Sequence, residues 1–118
     1  ENPMSSLEFL KFVKTKINCN LVRHSGILNT KIKKVAVLGG SGSFAIDAAK
    51  SSGAQAFITS DLKYHDFFKA ENKLLLIDIG HYESEQHIKN ILVAYLKKKI
   101  TNFAVVLSTI NTNPVKYT

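Results

Sequence analysis

Residues 34–61 read KVAVLGGSGSFAIDAAKSSGAQAFITSD, and this stretch decides the fold class. One continuous apolar run, 35–38, ends at two glycines. A second run, 56–59, follows a helical segment over about 44–52 that stops at Gly53. Apolar runs without alternation are typical of strands that are buried on both faces of a sheet. Two such strands joined by a helix indicate a parallel pair.

The segments on either side continue the alternation of helices and strands. Ser5-Ser6-Leu7-Glu8 reads as a capping box, so a helix is expected over about 6–17. The other expected elements are strands over 21–23, 74–79 and 103–107 and helices over 63–71 and 84–99. The order α-β-β-α-β-α-β-α-β predicts an α/β fold, a single domain with a largely parallel or mixed sheet of about five strands and helices on both faces.

Length and composition bound the class of protein. A chain of 118 residues with 45% hydrophobic and 21% charged residues is typical of one globular domain. The single cysteine, Cys19, excludes a disulfide within the chain, and a reduced thiol in a cytoplasmic protein is expected. No apolar run approaches the roughly 20 residues that cross a bilayer, so no membrane partner is expected. Because the chain begins Glu1-Asn2-Pro3-Met4, either a tag remnant precedes Met4 or the chain is one domain of a longer protein.

The charged residues are unevenly distributed. The net charge of +7 favours an anionic partner, but Arg23 is the single arginine among 16 basic residues. Because base and phosphate recognition relies mainly on arginine, nucleic-acid binding is disfavoured. Six of the nine acidic residues, including Glu71, fall between 61 and 85 together with two histidines, which points to a site there. The other residues of this cluster are Asp61, His65, Asp66, Asp78, His81, Glu83 and Glu85.

Three loops are expected at the carboxyl ends of the strands, where ligands bind in sheets of this kind: 39–43, 60–65 and 80–85. The first loop is rich in glycine, and its backbone amides at a strand–helix junction predict an anion-binding site formed by Gly40, Ser41, Gly42 and Ser43. A tight turn without a ligand is the open alternative. A partial dinucleotide fingerprint also runs through this loop to Asp61. Nicotinamide binding is disfavoured, because a lysine and a histidine follow Asp61 closely, unlike an acid that grips ribose.

The second loop carries groups that suit acid–base chemistry. Asp61, Lys63 and His65 are candidate catalytic residues, and His65 with Asp66 can form a general acid/base pair. The alternative is that Asp61 caps the following helix and Lys63 is solvated.

The third loop carries the sharpest chemical signal. His81 leaves a strand end and Glu85 lies in the first turn of the next helix, so both side chains can point into one cavity. An imidazole and a carboxylate suit Zn²⁺, Mn²⁺ or Fe²⁺. Two ligands do not complete a metal site, and a solvated pair is an equal alternative on spacing alone.

Taken together, these loops resemble the Nif-three-like family (Ngg-one-interacting factor three, also called the GTP cyclohydrolase I type 2 family). The matching motifs lie in order along essentially the whole chain. They are KVAVLGGSG at 34–42, ITSDLKYHD at 58–66, LIDIGHYESE at 76–85 and NTNPVKY at 111–117. The opening stretch NPMSSLEFLKFVK at 2–14 is also similar to the start of that family's carboxyl-terminal portion.

The resemblance implies that residues 1–118 form the carboxyl-terminal α/β lobe of a longer protein. In that family, two similar lobes line a cleft with a dinuclear metal centre, and full-length chains assemble into toroidal hexamers. His81 and Glu85 match the metal ligands of the carboxyl-terminal lobe. The amino-terminal lobe supplies the remaining ligands, so the isolated fragment is expected to bind metal weakly or not at all.

The resemblance also assigns Asp61, Lys63 and His65 to a cleft-lining motif, with Ser60 where glycine is commoner. It implies a metal-dependent, hydrolase-like protein, and a non-enzymatic metal-binding adaptor is the alternative. The residues themselves give no specific support to the cyclohydrolase label.

Overall fold

The computed structural model describes residues 2–118. The helices are α1 (Ser6–Ile17), α2 (Ile46–Ser51), α3 (His81–Glu85) and α4 (Ile88–Lys99), and the strands are β1 (Arg23–His24), β2 (Val35–Ser41), β3 (Ala56–Ser60) and β4 (Leu75–Asp78). Two 3₁₀ helices span Ser43–Ala45 and Tyr64–Ala70. The predicted α/β class is confirmed, and β3 and β4 are buried on both faces as predicted. The run 35–38 is not a buried central strand, because β2 lies at the edge of the sheet and Val37 is 70% exposed.

The four strands form one mixed sheet in the order β1-β4-β3-β2. β2, β3 and β4 are parallel, and the short β1 pairs antiparallel with β4. Because the parallel strands all end at the same edge, the loops that follow β2, β3 and β4 are brought together there.

Both faces of β3 and β4 are buried, because alternate residues of these central strands contribute to two separate cores. In β4, Leu75 and Ile77 pack toward α1, and Leu76 packs toward α2 on the opposite face. The capping box predicted for α1 is present, with the Ser5 hydroxyl accepting from the Glu8 N–H and the Glu8 carboxylate accepting from the Ser5 N–H. The helices therefore fix the sheet from both sides, as predicted.

Three predicted helices take a different form. The segment expected over 63–71 is a 3₁₀ helix, and the one expected over 44–52 begins with a 3₁₀ turn before α2. The helix expected over 84–99 starts earlier, at His81, and divides into α3 and α4. His81 is therefore the first helical residue and not part of a loop.

The prediction of a strand over 103–107, which lies within the described residues 2–118, is wrong. This segment forms no strand, and its side chains are exposed apart from the half-buried Val105, with Phe103 at 71% and Val106 at 84%. It follows α4, none of whose residues is buried. A strand needs a neighbour for its backbone groups, and local β propensity does not supply one.

Residues 88–110, hereafter the arm, consist of α4 and the extended segment that returns beside it. The Lys89 ammonium donates to the Ser108 carbonyl at 3.3 Å, which ties the two limbs together. The radius of gyration is 16.3 Å, against about 13–14 Å for a compact domain of this length. The molecule is therefore elongated, and no residue of the apolar arm belongs to either core.

No helix in residues 2–118 combines the length and the apolar character needed to cross a bilayer.

Gly42 is expected to be essential for the packing of the first loop. A Cβ at Gly42 would lie 2.0 Å from the Thr59 hydroxyl oxygen, whereas one at Gly39 would lie 3.6 Å from the Ser84 carbonyl oxygen, an ordinary contact. Gly42→Ala should lower the free energy of unfolding by about 2 kcal/mol, because the buried Thr59 must move. Gly39→Ala is the matched control and should change it by less than about 0.5 kcal/mol. Urea denaturation measures both, and equal midpoints for the two variants would contradict this role.

Candidate functional site

The loop edge of the sheet is organised around the buried carboxylate of Asp78. Asp78 ends β4 and is 4% exposed. One of its oxygens accepts from the Leu62 N–H at 3.0 Å and from the Arg23 guanidinium, and the other accepts from the Gly80 N–H at 3.0 Å. One carboxylate therefore connects β1 with the loops that follow β3 and β4.

Arg23 completes this connection. Its guanidinium also donates to the Leu62 carbonyl at 2.7 Å and lies over the Phe67 ring, 5.5 Å from the ring centroid. Because the loop after β3 is held by both its N–H and its carbonyl group at Leu62, the adjacent Asp61 is placed in a fixed position.

Asp61, His81 and Glu85 meet at this edge. The His81 Nδ1 lies 2.6 Å from the Asp61 Oδ2, and its Nε2 lies 3.2 Å from the Glu85 Oε2. His81 and Glu85 are four residues apart on α3, which puts them on one face of the helix. The Ser41 hydroxyl donates to the same Asp61 oxygen. The structure therefore brings together four of the predicted residues: Ser41, Asp61, His81 and Glu85.

The electrostatics of this group follow from the imidazole between two carboxylates. The hydrogen bond to Asp61 raises the pKa of His81, with smaller contributions from the charges of Asp61 and Glu85. The Ser41 hydroxyl, followed by His81, lowers the pKa of Asp61. Asp61 is therefore a carboxylate that accepts a hydrogen bond from the Nδ1–H group of His81.

The donor atoms fit one half of a metal site. With its proton on Nδ1, His81 leaves the Nε2 lone pair facing the Glu85 carboxylate. Two ligand atoms that each lie about 2.0–2.2 Å from one cation are about 2.8–3.6 Å apart, depending on the coordination angle, and the observed 3.2 Å falls in this range. Asp61 contacts the other ring nitrogen, the position of a residue that orients a ligand. Within residues 2–118, no three His, Cys, Asp or Glu side chains converge on a metal position, so a cation held by His81 and Glu85 would need further ligands from elsewhere.

The glycine-rich loop makes room for Glu85. Gly40 has φ +70°, and a Cβ there would lie 2.8 Å from the Glu85 Oε1. The Gly40 N–H donates to the Ser84 hydroxyl at 2.9 Å, and the Gly42 N–H donates to the Ser60 carbonyl at 3.4 Å. Two amides of the predicted anion cradle are therefore used within the protein. Anion binding by Gly40, Ser41, Gly42 and Ser43 stays a prediction.

Lys63 and His65 lie apart from this group. The Asp66 carboxylate accepts from the Lys63 N–H at 2.9 Å and from the Lys69 ammonium at 3.1 Å, so it starts the 3₁₀ helix and forms no bond with His65. The His65 ring instead packs against Tyr64 and Phe68. Neither Lys63 nor His65 lines the cavity beside His81, and their catalytic roles stay predictions.

A cavity of about 620 Å³ opens beside the His81 group. Its walls include Arg23 and Asp78, and residues 113–117 of the carboxyl-terminal tail close one side. Asn113 donates to the Glu83 carboxylate at 3.3 Å, which holds the tail in place. The sequence analysis placed Asp78 in the acidic cluster without assigning it a role, and it did not place Arg23 or the tail at the site. The signals for them were an acidic residue at the end of an apolar strand and the matching motif at 111–117.

Comparison with known proteins identifies the family. A family model described as Duf34/NIF3 (NGG1p interacting factor 3) matches residues 1–114. The chain belongs to the Duf34/NIF3 family. The resemblance drawn from the sequence motifs is thereby confirmed.

Relatives in this family share both sequence and fold with the chain. A Staphylococcus aureus protein named GTP cyclohydrolase 1 type 2 homolog is 37% identical over 121 aligned residues, covering 99% of this chain and 33% of that protein. The crystal structure of Staphylococcus aureus protein SA1388 matches with a TM-score of 0.85 and 37% identity, over all of this chain and 35% of that one. A Bacillus cereus protein related to NIF3 matches with a TM-score of 0.82 and 30% identity, over all of this chain and 34% of that one. The chain therefore spans about a third of the length of these Duf34/NIF3 relatives.

Asp78 is expected to hold the edge together. Asp78→Asn replaces a carboxylate oxygen with an amide group at a position that faces the Leu62 N–H or the Gly80 N–H. The variant should lose about 2 kcal/mol of unfolding free energy, below the value for a fully buried ion pair because Arg23 is half exposed. Asp47→Asn, at an exposed ion pair with Lys50, is the matched control and should lose less than about 0.5 kcal/mol. Equal losses in urea denaturation would contradict this role of Asp78.

The His81–Asp61 contact predicts a pH dependence in the metal-free chain. The pKa of His81 should lie above its ordinary value of 6.5 and fall when Asp61→Asn removes the charge. Because the folded state binds the His81 proton more tightly than the unfolded state, protonated His81 stabilises the fold. This contribution to folding stability is complete below about pH 6.5 and is lost as the pH rises through the folded-state pKa of His81. The Asp61 contribution is complete above its ordinary 3.8 and is lost as pH falls through its lowered pKa.

An NMR titration of the His81 ring measures this effect. Asp47→Asn, far from the ring in the sequence and on a different ion pair, is the control and should leave the His81 titration unchanged. If the wild-type and Asp61→Asn chains titrate His81 at the same pH, the contact with Asp61 does not set its pKa.

Proposed function

We propose that this chain is the carboxyl-terminal lobe of a divalent-metal-dependent, hydrolase-like Duf34/NIF3 protein. In this assignment His81 and Glu85 are two ligands of a dinuclear centre of Zn, Mn or Fe, which an amino-terminal lobe of the same protein completes. The observation that carries the assignment is the 3.2 Å separation of the His81 Nε2 from the Glu85 Oε2, with Nδ1 held by Asp61.

The orientation of His81 supports a ligand role. A metal-ligating histidine usually donates its other ring N–H to a carboxylate, which fixes the tautomer and the ring direction. Asp61 occupies that place, and the Ser41 hydroxyl fixes Asp61 in turn. Because Gly40 lacks a side chain, the Glu85 carboxylate has space beside the ring.

The chemistry suited to this site is hydrolysis of a phosphate ester or an amide-type bond. A bound pair of divalent cations polarises such a substrate and lowers the pKa of a bound water. His81 and Glu85 would hold a cation, and Asp61 would keep His81 in the neutral Nδ1–H tautomer. Lys63 and His65 do not line the cavity, so the proposal assigns them no contact with a group bound there.

A non-enzymatic metal-binding adaptor is the second candidate. It is favoured by the position of Lys63 and His65, since two of the three predicted catalytic side chains do not reach the cavity. In either function the expected partners are the amino-terminal lobe and further copies in a hexamer. The buried Cys19, whose thiol pKa is raised by burial, suits a reducing compartment, and we place the protein in the cytoplasm.

Metal titration tests the ligand assignment at two levels. Calorimetric titration of the 118-residue chain with Zn²⁺ or Mn²⁺ should show weak, sub-stoichiometric binding, because two side chains do not complete a site. Tight stoichiometric binding by a monomer would show that the chain needs no further ligands.

In the full-length protein, His81→Ala and Glu85→Ala should each abolish stoichiometric metal, measured by elemental analysis. His87→Ala and Glu71→Ala are matched controls, because both residues lie outside the cavity, and they should retain the metal. Retained metal in His81→Ala would refute the ligand assignment. Turnover of phosphoesters or nucleotides by the metal-loaded protein would favour the hydrolase, and full metal occupancy without turnover would favour the adaptor.

A further inference from the structure

The cavity beside the His81 group has acidic walls whose carboxylates are already engaged. Asp61 accepts from the His81 Nδ1–H group, and Asp78 accepts from two backbone N–H groups at 3.0 Å. The Glu83 carboxylate accepts from the Asn113 amide at 3.3 Å. These acceptors are directed to groups of the chain itself, so a ligand in the cavity must be recognised by other side chains.

Arg23 lines the cavity and has hydrogen-bond donors that its own chain does not use. Its Nη2 group donates to the Asp78 carboxylate and to the Leu62 carbonyl. Within residues 2–118, its Nε and Nη1 groups donate no hydrogen bond, and the side chain is half exposed. Because the ion pair with Asp78 and the ring of Phe67 hold the guanidinium, these donors are in place before a ligand binds.

The Tyr117 phenol of the carboxyl-terminal tail is a second unused donor in the walls of the cavity. Its oxygen lies 3.2 Å from the position that a Cβ would take at Gly80, the residue directly before His81. Among the side chains of residues 2–118, this hydroxyl has no hydrogen-bond partner. Burial, followed by the charges of Glu83 and Asp78, raises the pKa of Tyr117 above its ordinary 10.0, so the phenol stays a donor at neutral pH.

The unused donors and the proposed metal ligands belong to three separate elements. Arg23 lies in β1, Tyr117 in the tail, and His81 and Glu85 in α3. A group that reaches all three needs acceptor atoms in more than two directions. A phosphoryl group has three terminal oxygens in a tetrahedral arrangement, whereas a carboxylate has two oxygens in one plane. Charge-assisted hydrogen bonds from a guanidinium to phosphate oxygens are also among the strong ones in proteins.

We propose that Arg23 and Tyr117 bind the terminal oxygens of a phosphoryl group on the substrate. The two side chains hold the substrate and set its class, which narrows it to compounds that carry a phosphate group. The assignment rests on the proposed metal-dependent function, because without a bound cation the acidic side chains of the walls would repel an anion. These side chains are Asp61, Asp78, Glu83 and Glu85.

Calorimetric titration with inorganic phosphate tests this contact in the full-length protein, after incubation with Mn²⁺ and removal of the excess. Arg23→Lys keeps the positive charge, but Asp78 occupies the single lysine nitrogen, so the unused donors are lost. Tyr117→Phe removes only a hydroxyl, and it keeps the test valid if Arg23→Lys lowers the stability. Each variant should raise the Kd for phosphate at least about fivefold. Urea denaturation checks that both variants are folded, and their metal content should equal that of the wild type.

Tyr64→Phe is the matched control, because this phenol is 72% exposed and does not line the cavity, and the variant should bind phosphate like the wild type. Acetate probes a carboxylate ligand and should bind the wild type at least about tenfold more weakly than phosphate. A wild-type protein that binds no phosphate, or binds acetate as tightly, would overturn the assignment. So would a phosphate affinity that both variants leave unchanged. Elemental analysis of the same samples separates this result from the proposed function, which fails if the wild-type protein holds no metal.

Discussion

The structure of the loop edge depends on one buried carboxylate. Asp78 lies at the end of the most buried strand, where an unpaired charge is costly, and its acceptor positions are taken by Arg23 and two backbone N–H groups. Satisfying this charge forces β1 and two successive loops to converge. The relative positions of Asp61 and His81 are a by-product of that requirement, because each lies close in sequence to a group that Asp78 holds.

Two carboxylates at the same edge therefore have different roles, since Asp78 stabilises the packing of the edge and Asp61 belongs to the candidate site. Asp78 is buried and fully engaged with its own chain, whereas Asp61 is half exposed and contacts the cavity. The glycines of the loop after β2 leave space for the side chains of Glu85 and Thr59, which a Cβ at Gly40 or Gly42 would fill. The proposal that another lobe completes a metal centre at this edge rests on the partial donor set of His81 and Glu85.

The sequence predicts what is locally encoded in this chain. The capping box places α1 at Ser6–Ile17, and the apolar runs place β2, β3 and β4 to within a few residues. The prediction of a strand over 103–107 is wrong because β propensity does not show whether a neighbouring strand lies beside the segment. His65 could not be placed because a 3₁₀ helix turns its side chain toward Phe68. The role of Asp78 was missed because its partners, Arg23 and Leu62, are 55 and 16 residues away in the sequence.

The brevity of α3 links the positions of its two terminal side chains. His81 and Glu85 are the first and last residues of a five-residue helix that begins after Gly80 at φ +86°. Because a single helical turn carries both side chains, any change in the position of α3 moves the imidazole and the carboxylate together. The Gly40 N–H, which donates to the Ser84 hydroxyl within the same turn, therefore helps to place both groups at once.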